Sequence, residues 1–77
     1  MEHITFNGSI THVRQLIAAA RFPASMGNPA AVTEYVLGQL DERLSGTYQV
    51  TVAGQFIANA ACTVYAAHVS VAVNKVS

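Results

Sequence analysis

Between Val52 and Val73 the chain carries no Asp, Glu, Lys or Arg. In a chain of 77 residues, such a run crosses a membrane, forms the centre of a fold, or lies against a partner. A span needs about 20 residues whose side chains tolerate lipid. Gln55, Asn59, His68 and Ser70 interrupt this run, and no basic cluster or aromatic belt flanks it. Val69, Val71 and Val73 recur at every second position, the period of a strand. The run therefore reads as the buried half of a soluble fold, with no membrane partner.

The elements around it follow from spacing. His3 to Phe6 alternates polar and apolar residues and is a short strand candidate. Val13, Leu16, Ile17 and Ala20 fall at i, i+3, i+4 and i+7 and predict a helix over 11–21, N-capped by Thr11 or Ser9 and ended by Pro23. Asn28-Pro29 is a start signal, a capping side chain followed by proline at the first helical position. Val32, Val36, Leu40 and Leu44 then predict a helix to about Leu44, with Gly46 as the residue after its C-cap. Tyr48, Val50 and Val52 alternate with Gln49 and Thr51, so Thr47–Ala53 is a strand, and Val69–Val73 repeats the pattern. Between them, Phe56, Ile57, Ala60, Ala61 and Val64 keep helical spacing among alanines. The expectation is a helix over 56–64 with Ile57, Ala60 and Val64 facing the sheet. The alternative is one long strand paired with Thr47–Ala53.

Size and charge say what surrounds such a fold. One small domain is expected, exposing roughly 4,500 Å² by surface scaling. Four cations and four acids give a net charge of zero, and so few charges on so much surface favour association. Cys62 is the single cysteine, which rules out an intramolecular disulfide in a domain of a size that secreted proteins usually staple. Met1-Glu2-His3-Ile4 shows no basic region leading into an apolar core, and lipidation patterns are absent. A cytoplasmic setting is expected, the host cytoplasm if the source is a virus.

The order strand, Gly-x-x-Ile-x-x-Ala, helix, strand, seen in Val50-Thr51-Val52-Ala53-Gly54-Gln55-Phe56-Ile57-Ala58-Asn59-Ala60, resembles the Alba family of nucleic-acid-binding proteins. Pro29 and Val36-Leu37-x-Gln39-Leu40 resemble that family's first helix. Where the family places basic residues before this helix, the chain has Met26-Gly27-Asn28. Asn59 or Gln55 stands where the second helix carries another. The resemblance implies an α/β sandwich and dimerisation more than nucleic-acid binding.

Chemistry is sparse. Cys62 and His68 would need a depressed thiol pKa and a base within hydrogen-bond reach. On one strand they would lie about 20 Å apart by the rise per residue. His3, His12 and Cys62 have no metal-ligand spacing, and Gly27 and Gly54 belong to no phosphate loop. Glu34, Asp41 and Glu42 read as the wet face of the second helix. No catalytic residue, metal site or cofactor is expected. Arg14 and Arg21 could share a helix face as a weak anion or nucleic-acid contact, since phosphate neutralisation carries that affinity.

The fold expected is a small α/β (α+β) two-layer sandwich, about three strands packed against two or three helices. The function expected is a non-catalytic protein-interaction module, a homodimer or a mask over a protein partner, and the alternative is an Alba-like nucleic-acid-binding dimer. Chains of this size without visible chemistry are common among virus-encoded accessory and inhibitor proteins. With Val69, Val71 and Val73 facing the core, Ala66, His68, Ser70 and Ala72 form the outward row expected to meet the partner. That row lacks the lysines that usually protect a strand edge.

Overall fold

The computed structural model describes residues 2–55, 57–58, 64–65 and 69–77. Strand β1 spans His3–Gly8, helix α1 Ile10–Ala19, a 3-10 turn Ala24–Met26 and helix α2 Pro29–Gln39. They are followed by β2 at Tyr48–Ala53, β3 at Ile57–Ala58, β4 at Val64–Tyr65 and β5 at Ser70–Lys75. β1, β2 and β5 form an antiparallel sheet in the order β1-β2-β5, with β2 central. The helices cover one face, so the expected two-layer α+β sandwich is the fold.

Helix α1 starts at Ser9, whose hydroxyl accepts from the His12 backbone N–H at 3.2 Å. Ser9 wins over Thr11 because β1 runs through Gly8, which puts the cap directly at the strand's end. Ile10, Val13 and Ile17 are its buried stripe, whereas Leu16 is 38% exposed at the rim. The helix stops short of Arg21. Ala20 is already extended, and the chain leaves the helix to bury Phe22, which packs edge-on against Phe6 with ring centroids 6.4 Å apart.

Helix α2 begins as expected, with the Asn28 side chain accepting from Ala30 N–H at 3.0 Å and Pro29 in the first turn. Its end corrects the sequence reading. The helix stops at Gln39, and Leu40 is its extended C-cap. Asp41 Oδ1 accepts from the Arg43 backbone N–H at 2.9 Å, and Leu44 N–H donates to Asp41 C=O at 3.1 Å, closing a turn where another helical turn was expected. Leu40 is buried and Leu44 is 40% exposed. The four-residue recurrence therefore ends in a turn, and Gly46, at φ 107°, belongs to the bend before β2.

One core joins the layers: Phe6, Ile10, Val13, Ile17, Phe22, Met26, Val32, Val36, Leu40, Tyr48, Val50, Val52 and Val69. No described polar or charged side chain is buried in it.

The helix expected over 56–64 is overturned where that stretch is described. Ile57–Ala58 and Val64–Tyr65 are strands, paired antiparallel as Ile57 opposite Tyr65 and Ala58 opposite Val64. Alanine's helical preference is a weak prior that backbone pairing overrides. The rest of that expectation, Ala60 included, lies outside the described residues. The alternative of one long strand paired with Thr47–Ala53 is overturned as well, because the chain reverses between β3 and β4. β5 is the antiparallel partner of β2, while β3 and β4 form a ladder of their own.

Candidate interaction surface

β2 has a neighbour on each side; β5 has one, so among the described residues its outer edge is unpaired. Residues opposite each other across a ladder share a face. Val71 and Val73 oppose Val52 and Val50, so they point to the helical side, and Ser70, Ala72 and Asn74 point away from it. Coverage fades along β5. Val69 is 9% exposed, Val71 is half-buried and Val73 is 38% exposed. Coverage thus reaches the start of β5 and thins toward its end.

Which backbone groups face the open edge follows from the ladder's ends. Thr47 C=O accepts from both Val76 N–H (2.8 Å) and Ser77 N–H (3.3 Å), and Thr47 N–H donates to Ser77 C=O (3.2 Å). This is a β-bulge, two residues opposing one, and it directs Thr47 toward the β5 side. Gly54 N–H donates to Glu2 C=O (3.0 Å) on the β1 side. Hydrogen-bonded and non-hydrogen-bonded pairs alternate along an antiparallel ladder. Gln49, Thr51 and Ala53 therefore bond Asn74, Ala72 and Ser70, with which they are in register. The N–H and C=O groups of Val71, Val73 and Lys75 are left pointing outward.

Among the described residues, the far face of the sheet carries no formal charge. Its three rows are His3–Ala53–Ser70, Thr5–Thr51–Ala72 and Asn7–Gln49–Asn74. All of these residues are exposed except Thr51 and Ala53, which are half-buried. The Thr5 and Thr51 hydroxyls lie 3.4 Å apart. Of the outward row expected from the sequence, Ser70 and Ala72 stand on this face, exposed. Ala66 and His68 lie outside the described residues. Sequence reading missed that Thr5, Thr51 and Gln49 extend the row across the sheet, because only the strand order reveals it.

The two arginines are not brought together. Arg14 reaches from α1 to the end of α2, donating through Nη1 to Leu37 C=O (2.6 Å) and Leu40 C=O (3.1 Å), with Nε 3.0 Å from Glu42 Oε1. Arg21 lies beyond the Ala20 C-cap, so the shared helix face does not exist. Arg14 also lines an open depression of about 380 Å³ with Thr11, Gln15, Ala18, Leu37 and Glu42. The cation of this hollow is already engaged. Arg43 turns back on Asp41 at 3.1 Å, and its side chain and backbone N–H together hold the Asp41 carboxyl below its usual pKa of 3.8.

Among the described residues no three His, Cys, Asp or Glu side chains are grouped to hold a metal. No described helix is long and apolar enough to cross a membrane. Cys62 and His68 lie outside the described residues. Comparisons with protein families, curated proteins and solved structures found no match for this chain.

Proposed function

We propose that this chain is a non-catalytic protein-interaction module that works through β5, by self-association into a homodimer or by masking a protein partner. The β5 edge, unpaired among the described residues, carries the reading. It offers three residues' worth of outward backbone groups beside half-covered valines, on a strand whose one charge is Lys75 at its end. Natural proteins usually blunt such an edge with charges, proline or a covering segment. The uncharged far face adds a second surface on which a partner meets no unpaired charge.

Light scattering at tens of micromolar tests the reading, with at least a dimer expected. Ser70→Lys and Ala72→Glu, both exposed and outside the core, should dissociate it without unfolding it. A wild-type monomer, with both variants behaving alike, removes self-association and leaves a different protein as the partner. The Alba-like alternative makes another forecast, a salt-dependent complex with duplex DNA or RNA. Arg14 is a poor candidate for that contact, since its guanidinium already serves two carbonyls and a carboxylate.

A further inference from the structure

We infer that the occupant of the β5 edge is β5 of a second copy, paired antiparallel about a two-fold axis with Ala72 opposite Ala72 of the other copy. This rests on the interaction-module reading above and adds the partner, the strand direction and the register.

Three constraints select the register. The first is parity. Within β5, Val71, Val73 and Lys75 aim backbone groups at the edge, so hydrogen-bonded pairs in the new ladder join members of that set. This forbids every register that sets one of them opposite Ser70, Ala72 or Asn74.

The second is length. Two permitted registers pair the strand most fully. One centres on Ala72 and pairs Ser70–Asn74 with its copy. The other centres on Val73 and pairs Val71–Lys75 with its copy.

The third is charge. Centring on Val73 sets the Lys75 ammonium opposite Val71 in the valine row, twice over by symmetry. Centring on Ala72 sets Val71 against Val73 on the helical side, covering the valine that is 38% exposed. Lys75 then falls beyond the paired stretch, where its ammonium stays in water. On the far face, Ala72 meets Ala72 and Ser70 meets Asn74, contacts of small and hydrogen-bonding side chains. The two sheets become one continuous sheet running from β1 to the other copy's β1.

The edge assignment is tested by proline. Val73→Pro removes an N–H that points outward, so it should abolish the dimer while leaving the circular dichroism spectrum native. Ala72→Pro removes an N–H bonded to β2 and should destabilise the fold itself. If Val73→Pro unfolds as readily as Ala72→Pro, the parity is wrong and the proposal falls.

The register is tested by single cysteines at positions 70, 72, 73 and 74 under mild oxidation, with linked peptides read by mass spectrometry so that Cys62 stays in place. Directly opposite residues in a non-hydrogen-bonded pair have Cα atoms about 4.5 Å apart, inside the roughly 4.4–6.8 Å a disulfide spans. Diagonal neighbours, at about 7–8 Å, are outside it. A homotypic link at Ala72→Cys alone is expected. A link at Val73→Cys, Asn74→Cys or Ser70→Cys instead overturns the register and leaves the interaction-module reading standing. No link at any position in a protein that scatters as a dimer overturns the Ala72-centred pairing. A wild-type monomer at tens of micromolar overturns this proposal, while partner masking stays open to a separate test.

Discussion

Replacing Arg14 by alanine separates a structural role for this side chain from a ligand-binding one. Its Nη1 donates to the carbonyls of Leu37 and Leu40, two of the groups a helix leaves unpaired at its C-terminus. Hydrogen bonds from a charged donor contribute about 1.5–3 kcal/mol. The lower half of that range applies, because Leu37 C=O also accepts from Leu40 N–H at 3.3 Å and water can reach the helix end. The ion pair with Glu42 adds less. The Glu42 side chain is 70% exposed, and such pairs give about 0–1 kcal/mol. Counting the two carbonyl bonds of the single Nη1 together, Arg14→Ala should therefore cost about 1.5–3 kcal/mol, and Glu42→Gln about 0.5 kcal/mol or less. Urea denaturation followed by circular dichroism, at one fixed protein concentration so that association does not confound it, reads both. A domain of this size should lose about 4–8 °C of Tm per kcal/mol. High salt should erase the Glu42 contribution and leave most of the Arg14 loss, since the carbonyl bonds are short-range. If Arg14→Ala stays within about 0.5 kcal/mol of wild type, the capping argument is wrong and the guanidinium is available for a ligand.

Three further outcomes are expected. Asn28→Ala removes the α2 N-cap bond to Ala30 and should cost about 1 kcal/mol in the same assay. Gly8→Ala should cost about 1–3 kcal/mol, because Gly8 sits at φ 141° and an added Cβ would meet His12 Cδ2 at 2.7 Å; adding His12→Ala should return the steric part only. An NMR titration should place the Asp41 carboxyl below 3.8, and Arg43→Ala should move it upward. The folded state favours the carboxylate, so the Asp41–Arg43 contact is intact at neutral pH and is lost as pH falls through that lowered value.

Where the sequence was legible, one physical cause dominated. Tyr48, Val50 and Val52 alternate with polar neighbours and are all buried, since a strand with one wet face leaves that pattern little alternative. Asn28-Pro29 worked for a similar reason, being a local backbone device that needs no tertiary contact. The failures lie where two local signals competed or where strand order decides. Helical spacing over 56–64 took alanine's preference as decisive, and Ile57–Ala58 pairs with Val64–Tyr65 instead. Arg14 and Arg21 were joined by a count of seven residues, which holds only while the helix continues, and burial of Phe22 ends it. The candidate site was half legible. Alternation placed Ser70 and Ala72 outward, yet only the order β1-β2-β5 makes β5 an edge and adds Thr5 and Thr51 to the same face.

The end of α2 offers the sharpest case of competing signals, and Gly38 tests which one wins. Gly38 lies in the last turn of the helix, exposed, and an added Cβ would meet nothing within 4 Å. An alanine there keeps the helical backbone and narrows the unfolded chain's freedom, so Gly38→Ala should stabilise the protein by about 0.4–1 kcal/mol. Two accounts of the helix end then diverge. If the end is set by Asp41 capping Arg43 N–H, by the turn to Leu44 and by Arg14 holding Leu37 and Leu40, the added helix preference leaves the boundary at Gln39. If Gly38 itself weakens the last turn enough to stop the helix, alanine should let it run on toward Leu44. Backbone chemical shifts at Leu40 and Asp41 distinguish them, with a non-helical Leu40 expected in wild type and variant alike. Helical shifts at Leu40 and Asp41 in Gly38→Ala would overturn the capping account, since that account holds Leu40 extended.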